Sequence, residues 1–537
     1  MARPGHVPAR NASVPSRIVV GNSDSSSQDA QRSVVWGRRG RLRGLGLAGV
    51  ASAMLLVSTA PNAIGTPVGD AGGPSRVIVI SHTKAKPGDK VNAHHGNVVA
   101  DLDIVNGVAA DVSAADLADL QQDPDVTVVP DAPVSIAATS DLTGSTRPPA
   151  AVFPTTTGAA VTNATMGLNG QGVTVAVLDT GISRLPDFAG RLVGGVDLSG
   201  EGDPFMDSYG HGTFVSGLIA GNGASSNGVL VGEAPKASLA SVKVAGASGV
   251  TDLATVIGGV QWVVNNQKAL GIGVLNISLG AVPFPSSVLN PLDQAVESAW
   301  RSGIVVVASA GNLGPFNGSI TSPGDDPLVV TVGATDDNGT AGTADDTMTT
   351  FSSVGPTAVD GWFKPDLVTS GRSVISLRAP GSTIDVANPS ARVGTTYFVG
   401  SGTSFSAAIT SGAAAILRQA TPGGDADKIK GKLLGGAMRG PVGSPFVDGF
   451  GSLNVLNSTS IKATLKQTAP TVATPIPSNV SLYVTGAGSA WNGSSWNGSS
   501  WNGSAWNGSS WNGSSWNGSS WNGSSWNGSS WNGSAWN

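Results

Sequence analysis

Cysteine is absent from the 537 residues of this chain, and histidine occurs only five times. Without cysteine, the chain has no disulfide, no zinc–thiolate site and no thiolate nucleophile. Four of the histidines lie within the first hundred residues, so His211 is the single imidazole available to all that follows.

Charge is also scarce. Charged residues make up 12% of the chain, against roughly 25% in typical soluble domains, and the net charge is -5. No basic cluster of the size that marks a nucleic-acid footprint is present, so we expect no nucleic-acid partner. A core of this size does not need disulfides, so their absence is compatible with export.

An export signal is predicted within residues 1–63. The basic cluster of residues 38–43 (RRGRLR) precedes an apolar run at residues 44–57 (GLGLAGVASAMLLV). That run is short for a membrane span and fits the core of a signal peptide. We therefore expect a secreted, extracellular protein. An uncleaved anchor is the alternative, and Arg38-Arg39 leaves a twin-arginine route open.

A small α+β unit is predicted at residues 75–136. Residues 76–81 and 126–129 are strand-like, and residues 98–112 suggest a hairpin that turns at Asn106-Gly107. Ser113 begins a capping box ahead of a short helix at residues 114–122.

Residues 150–460 are predicted to form an α/β domain with a mostly parallel sheet and helices on both faces. Apolar β-branched runs alternate with helical patterns there, which is typical of such sheets. The predicted strands are 173–178, 241–244, 274–278, 304–309 and 329–332, and the predicted helices are 211–220, 252–270 and 292–301. Ligand chemistry in these sheets gathers at the carboxyl ends of the strands.

The C-terminal part is low in complexity. Residues 461–488 have the composition of a linker, and residues 489–537 repeat Trp-Asn-Gly-Ser-Ser or a close variant, with tryptophan at every fifth position. Two interpretations stay open for this tail. It is either an aromatic surface for cell-wall polysaccharide or self-association, or a disordered segment.

Four polar residues occupy positions suited to catalysis. Asp179 ends the strand VAVLD, His211 opens a helix between two glycines, and Ser404 lies at the start of another helix. Asn312 follows the strand ending VASAGN. A serine nucleophile needs a base, the base needs a carboxylate to orient it, and the oxyanion needs donors. Ser404 would be the nucleophile and His211 the base. Asp179 would orient the base, and Asn312 would donate to the oxyanion.

Seven motifs with this order resemble the subtilisin family of serine proteases (subtilases). They are VAVLDTGI at 175–182, YGHGTFVSGLIAG at 209–221, LNISLG at 275–280, VVVASAGN at 305–312, FSSVGPT at 351–357, KPDLV at 364–368 and GSGTSFSAA at 400–408. The likeness covers about residues 150–456, and DPLVVTVGATDD at 326–337 resembles the AprX-like branch.

The resemblance implies a subtilisin-like fold and a serine endopeptidase with the triad Asp179, His211 and Ser404. Asn312 would be the oxyanion donor. It also implies that residues 75–136 are a propeptide that assists folding, inhibits the enzyme and is cleaved off. Polypeptide substrates would pair with Ser278, Leu279 and Gly280, while Ala310 and Gly311 would help to wall the first specificity pocket.

Two motifs depart from the family pattern. Phe214 stands where the family usually has histidine after Gly-His-Gly-Thr, and Phe405 stands where methionine usually follows the serine. Ala408 stands where the family usually has a proline, three residues after Phe405. These departures bear on rate and stability more than on the chemistry.

The sequence also admits other interpretations. Asp179 in Asp-Thr-Gly also fits an aspartic protease, but a single such triplet would require a homodimer. A catalytically dead scaffold that binds surfaces through the tryptophan tail is the non-enzyme alternative. No cofactor is required by the chemistry. Calcium often stabilises the family, yet residues 222–231 near the expected calcium loop contain no carboxylate.

Overall fold

The computed structural model describes residues 73–136, 151–283 and 286–467, and the backbone of 481–485. The predicted signal peptide and the tryptophan repeats lie outside the described residues. Among the helices that the structure describes, none is both long and apolar enough to cross a membrane.

The N-terminal part, residues 75–136, consists of five strands and two helices. They are β1 Ser75–Ser81, α1 Pro87–Ala93, β2 Asn97–Leu102, β3 Gly107–Val112, α2 Ala114–Leu120, β4 Val126–Pro130 and β5 Pro133–Ile136. The first four strands form one sheet in the order β2-β3-β1-β4, in which each pairing is antiparallel. The N-cap of the predicted capping box is present, since the Ser113 hydroxyl accepts a hydrogen bond from the Asp116 amide at 3.2 Å.

The larger part begins at residue 151. Its first half contains α3 Phe153–Thr156, α4 Ala159–Met166, β6 Thr174–Asp179, β7 Leu192–Asp197, α5 His211–Ala220, β8 Ser238–Lys243, β9 Val250–Asp252, α6 Leu253–Leu270, β10 Ile272–Ile277, β11 Leu279–Gly280, α7 Pro291–Arg301 and β12 Val305–Ser309.

Its second half contains β13 Val330–Asp336, β14 Thr347–Met348, β15 Leu367–Ser370, β16 Val374–Leu377, α8 Thr383–Ala387, β17 Arg392–Val393, β18 Tyr397–Gly400, α9 Thr403–Ala420, α10 Ala426–Gly436, α11 Val455–Ser460, β19 Lys462–Lys466 and β20 Ser481–Thr485.

The central sheet runs in the order β14-β13-β12-β10-β6-β8-β7, and β15 also pairs with β13. Every pairing is parallel except that of the short strand β14 with β13. All six residues of β6 and all five of β12 are buried. Because successive side chains point to opposite faces of a sheet, both faces must be covered. The predicted α/β fold is confirmed.

Three helix starts agree closely with the sequence prediction. α5 begins at His211, α6 begins one residue after its cap Asp252, and α9 carries Ser404 in its first turn. α5 follows the parallel strand β7, whereas α6 follows β9 and α9 follows β18, which belong to small antiparallel sheets.

Strand β5 joins the two parts of the structure. It lies between β11 and β9 in a separate three-stranded antiparallel sheet. The sequence did not predict this strand.

The prediction that residues 461–488 form a linker is wrong in part. β19 and β20 lie within it and pair with each other from Lys462↔Thr485 to Lys466↔Ser481. Gln467 then bonds to the larger part, since its backbone amide donates to Asp427 at 3.0 Å and its Nε2 donates to the Leu328 carbonyl at 3.1 Å. The sequence signal for β19 is the alternation of exposed Lys462, Thr464 and Lys466 with buried Ala463 and Leu465, which the linker-like composition of the segment obscured.

Candidate active site

Asp179 and His211 form a buried pair at the carboxyl edge of the central sheet. Asp179 is the last residue of β6, and His211 is the first residue of α5. The imidazole Nδ1 lies 2.9 Å from each carboxylate oxygen of Asp179. Both side chains have essentially no exposed surface. A carboxylate on Nδ1 leaves Nε2 as the ring atom able to take a proton.

The glycines beside His211 are required by close backbone contacts. A Cβ atom on Gly212 would lie 2.2 Å from the carbonyl oxygen of Gly181, and one on Gly210 would lie 2.3 Å from the Ser382 hydroxyl. Gly210 also has a φ of 107°, a conformation that L side chains rarely adopt. The two glycines therefore permit a close approach of backbone around the histidine.

A second buried carboxylate, Asp207, organises the turn ahead of α5. It accepts hydrogen bonds from Gly210 N at 2.6 Å, Thr213 N at 2.7 Å and the Thr180 hydroxyl at 2.8 Å. Burial raises the pKa of Asp207, while these donors act in the opposite direction. The turn that presents His211 is thus tied to the residue directly after Asp179.

Ser404 lies in the first turn of α9, where backbone amides favour negative charge. Its hydroxyl donates to the carbonyl oxygen of Ser278 at 3.1 Å. In return, the Ser278 hydroxyl donates to the Ser404 carbonyl at 3.0 Å. His211 Nε2 is buried and accepts no hydrogen bond from the described residues.

Asn312 is held by the residue that precedes Ser404. Its side-chain oxygen accepts hydrogen bonds from Thr403 N at 2.9 Å and Thr403 Oγ1 at 3.0 Å. With the oxygen committed to Thr403, the amide NH₂ group is the end directed away from that residue. The structure therefore brings Asn312 beside the start of α9, as the predicted oxyanion role needs.

The predicted substrate-binding segment already pairs with a strand. Leu279 lies opposite Ile136 and Gly280 lies opposite Ser135 in the β11–β5 pairing. On the other side of β5, Val134 lies opposite Thr251 of β9. The chain thus places one of its own strands beside the segment that the sequence analysis predicts to bind an extended peptide.

Ala310 and Gly311 lie close to a residue that the sequence analysis missed. The amide of Thr321 donates to the Ala310 carbonyl at 3.0 Å. A Cβ atom on Gly311 or on Gly280 would lie 2.8 Å from the Thr321 side chain. Thr321 therefore packs against both predicted walls of the first pocket, and no motif identified it in advance.

No metal site was predicted at these residues. The described ranges contain no group of three or more histidine, cysteine or acidic side chains arranged to hold a metal ion.

Comparison with known proteins agrees with this geometry. Residues 170–479 match the model of the Subtilase family. Serine protease AprX of Bacillus subtilis (strain 168) is 44% identical over 296 residues, which cover 54% of this chain and 67% of AprX. Subtilisin Savinase of Lederbergia lenta is 37% identical over 289 residues, which cover 54% of this chain and 91% of that protein.

A solved structure extends the likeness of fold. Fervidolysin from Fervidobacterium pennivorans, a keratinolytic enzyme related to subtilisin, superposes with a TM-score of 0.56 at 20% identity. The match covers 78% of this chain and 68% of fervidolysin. At that identity the match concerns the fold alone.

Proposed function

This chain belongs to the subtilase family and is a serine-type endopeptidase, and from that premise we propose that Asp179, His211 and Ser404 are its catalytic triad. The observation that carries the proposal is the buried Asp179–His211 pair beside the N-terminus of α9, which presents Ser404.

The proposed reaction is acyl transfer in two stages. The Ser404 hydroxyl turns from the Ser278 carbonyl toward His211, attacks the scissile carbonyl carbon and gives its proton to Nε2. The resulting imidazolium is stabilised by Asp179 and then protonates the leaving amine, which leaves an acyl-enzyme on Ser404. Water attacks this ester with His211 again as the base, and the free serine is restored.

Asn312 and the start of α9 are proposed to stabilise the oxyanion. The support is the pair of bonds from Thr403 to the Asn312 side-chain oxygen, which fixes the orientation of the amide. Donors that are already fixed cost no reorganisation when charge develops on the oxygen.

Residues 75–136 are proposed to act as a propeptide, both chaperone and inhibitor. Strand β5 pairs with β11 and β9 in the manner expected of an extended substrate. The N-terminal part also contacts the catalytic part away from the cleft, since Ile104 N donates to Gln261 Oε1 at 2.9 Å. Such an occupant blocks access to Ser404 until it is cut and leaves.

The register of β5 narrows the proposed cleavage position. Ile136 lies opposite Leu279, and Ser404 bonds to Ser278, the residue just before Leu279. The bond attacked should therefore lie shortly after Ile136 and before Val152. Mass spectrometry of the mature protein would locate the new N-terminus, and an active enzyme that still carries β1 to β4 covalently would refute the proposal.

Secretion through the predicted signal peptide, and attachment through the tryptophan repeats, are the remaining parts of the proposal. Both rest on sequence alone: the apolar run at residues 44–57 and the aromatic period of residues 489–537. Calcium as a structural ion stays a prediction with no assigned ligands.

A labelling experiment tests the catalytic assignment. A serine-directed fluorophosphonate should label the processed wild-type enzyme, while Ser404→Ala should lose the label. Turnover should fall by about 10⁶, the loss known for the corresponding change in subtilisin itself.

Ser406→Ala is the matched control, because Ser406 is on the same helix and its hydroxyl donates to the carbonyls of Thr369 at 3.0 Å and Ser370 at 3.1 Å. This variant should keep the label. A label that persists in Ser404→Ala protein from which another protease has removed residues 75–136 would contradict the assignment, and so would its absence from the processed wild-type protein.

A further inference from the structure

Two phenylalanines meet at the back of the catalytic histidine. Phe214 lies one turn after His211 on α5, and Phe405 follows Ser404 on α9. Their ring centroids are 4.4 Å apart with the planes at 40°. The Phe405 ring also lies 5.6 Å from the imidazole of His211, with the planes at 31°. One aromatic cluster therefore connects the two helices that carry the base and the nucleophile.

The cluster has no room to shift. Phe214 is 2% exposed and Phe405 is 4% exposed. Gly400 closes one side, because a Cβ atom there would lie 2.7 Å from Phe405 Cε2 and 3.2 Å from Phe214 Cζ. Closely packed rings at these distances resist rotation, since each neighbour occupies the space into which the other would turn.

The imidazole depends on this packing for its tilt. Asp179 holds only Nδ1, and its two oxygens are equally distant from that atom. Such a bond fixes one edge of the ring but permits rotation about the line joining the two residues. Nε2 accepts no hydrogen bond from the described residues. The Phe405 ring lies beside the imidazole and restricts the direction in which Nε2 can point.

We infer that Phe405, supported by Phe214, is a positioning residue for His211 and sets the alignment of Nε2 with Ser404. Both phenylalanines depart from the usual family residues, and the structure shows that the two departures contact each other. The pair therefore acts as one unit, in which the shape of each ring fits the packing of the other. This inference rests on the proposed catalytic triad.

A double-mutant cycle tests the unit. The variants are Phe405→Met, Phe214→His and the double variant, which together restore the usual family residues. Each processed enzyme is measured on a soluble peptide, with kcat calculated per fluorophosphonate-labelled site so that unfolded protein does not count. Misalignment of a catalytic group lowers the rate of the chemical step much more than it weakens substrate binding.

We expect each single variant to lose kcat by roughly tenfold to 100-fold with KM within about twofold. The double variant should lose less than the product of the two single losses, because the mismatch between the rings is removed. The pH profile of kcat/KM should change shape in the single variants and return toward the wild type in the double variant.

The stacked pair of Phe363 and Phe446, with centroids 5.4 Å apart, offers a control outside α5 and α9. Phe446→Leu should lower thermal stability and leave kcat per labelled site unchanged. Losses that simply multiply in the double variant, or equal losses of kcat in the Phe446→Leu control, would overturn the inference. A wild-type enzyme that takes no label would instead overturn the triad on which the inference rests.

Discussion

At the scale of single residues, the imidazole of His211 has one polar anchor and one apolar anchor. Asp179 bonds to one edge of the ring, and Phe405 packs against it from the nucleophile's helix. The proposed proton acceptor is thus held by two elements far apart in the sequence, β6 and α9. Rate should therefore respond to changes in packing as well as to changes in charge.

Removal of the Asn312 amide should affect the transition state more than the bound substrate. We expect Asn312→Ala to lower kcat by roughly 10²–10³ with little change in KM, a magnitude known from subtilisin itself. Steady-state kinetics on a soluble peptide checks this. A variant in which KM rises and kcat is retained would exclude the oxyanion role.

Thr321 should restrict the first specificity pocket. Its side chain packs against Gly280 and Gly311, so it occupies space that a large substrate side chain would need. Thr321→Gly should raise kcat/KM for substrates with phenylalanine before the cleaved bond relative to those with alanine, by roughly tenfold. Thr321→Ser, which keeps the hydroxyl, should give a smaller shift. An unchanged ratio in the glycine variant would place Thr321 outside the pocket.

Glu233 should make stability depend on pH. It lies between the two catalytic helices, where its amide donates to the Leu218 carbonyl of α5 at 2.8 Å and its Cβ closely approaches Gly412 of α9. Neither carboxylate oxygen accepts a hydrogen bond within the described residues, and the nearby Thr157 hydroxyl donates to Phe153 instead. Burial raises the pKa of Glu233 to about 8.

Since the folded state keeps this proton from about pH 4.5 to about pH 8 while the unfolded state loses it, stability should fall as pH rises through that window. The slope is about 1.4 kcal/mol per pH unit for one proton. Glu233→Gln should flatten the slope, as measured by urea unfolding in a Ser404→Ala background that prevents autolysis. Parallel curves for the two proteins would show that Glu233 titrates normally.

At the scale of elements, the carboxyl edge of the sheet could be predicted and the strand in the cleft could not. The starts of α5, α6 and α9 were predicted to within a residue or so, because apolar periodicity and capping residues are local signals. β5 was missed because four residues are too few for their alternation of exposed and buried side chains to stand out, and its partners lie more than a hundred residues away. The Phe214–Phe405 contact was missed for the same reason, since it depends on how two distant helices pack.

Asp131 links the N-terminal part to the start of α6. Its Oδ1 accepts the Ala254 amide at 2.9 Å, and its Oδ2 has no partner among the described residues. Burial raises the pKa of Asp131 to about 6, and the neighbouring charge of Asp252 acts in the same direction.

The carboxyl should therefore be protonated more readily in the docked state than after release. Docking should be strongest below about pH 4 and should weaken as pH rises through about 6. We expect the processed wild-type complex to release residues 75–136 faster at pH 8 than at pH 5, by about tenfold, as followed by size-exclusion chromatography. Asp131→Asn keeps the acceptor oxygen and should reduce this difference. If the Asp131→Asn variant releases residues 75–136 at the wild-type rate at both pH 5 and pH 8, the pH dependence has another source.

At the scale of the whole molecule, the catalytic body extends further along the chain than composition suggests. β19 and β20 pair beyond the last helix, and Lys432 donates to the carbonyls of Ser458, Thr459 and Ile461 at 3.3, 3.1 and 2.6 Å. A truncation that tests the repeats alone must therefore leave residues 461–485 in place.

Truncation after Thr485 should leave kcat/KM on a small soluble peptide unchanged. Ten regularly spaced indoles suit an apolar or sugar-binding surface, so the same truncation should reduce binding to cell-wall polysaccharide in a pull-down. Truncation after Ser460 serves as the comparison and should lower thermal stability, because it removes β19. Pull-down and light scattering that do not change after the Thr485 truncation would favour a tail with no binding role.

The position of β5 in the cleft also has a consequence for the time course of activation. Before cleavage, the strand is tethered to the cleft that it fills, so dilution cannot remove it. After cleavage it becomes a separate solute whose occupancy depends on concentration. At high protein concentration, freshly cleaved molecules should remain inhibited. The first molecule to lose its cleaved N-terminal part should then digest the N-terminal parts bound to other molecules. Activity should then appear after a lag and rise steeply, as in an autocatalytic reaction.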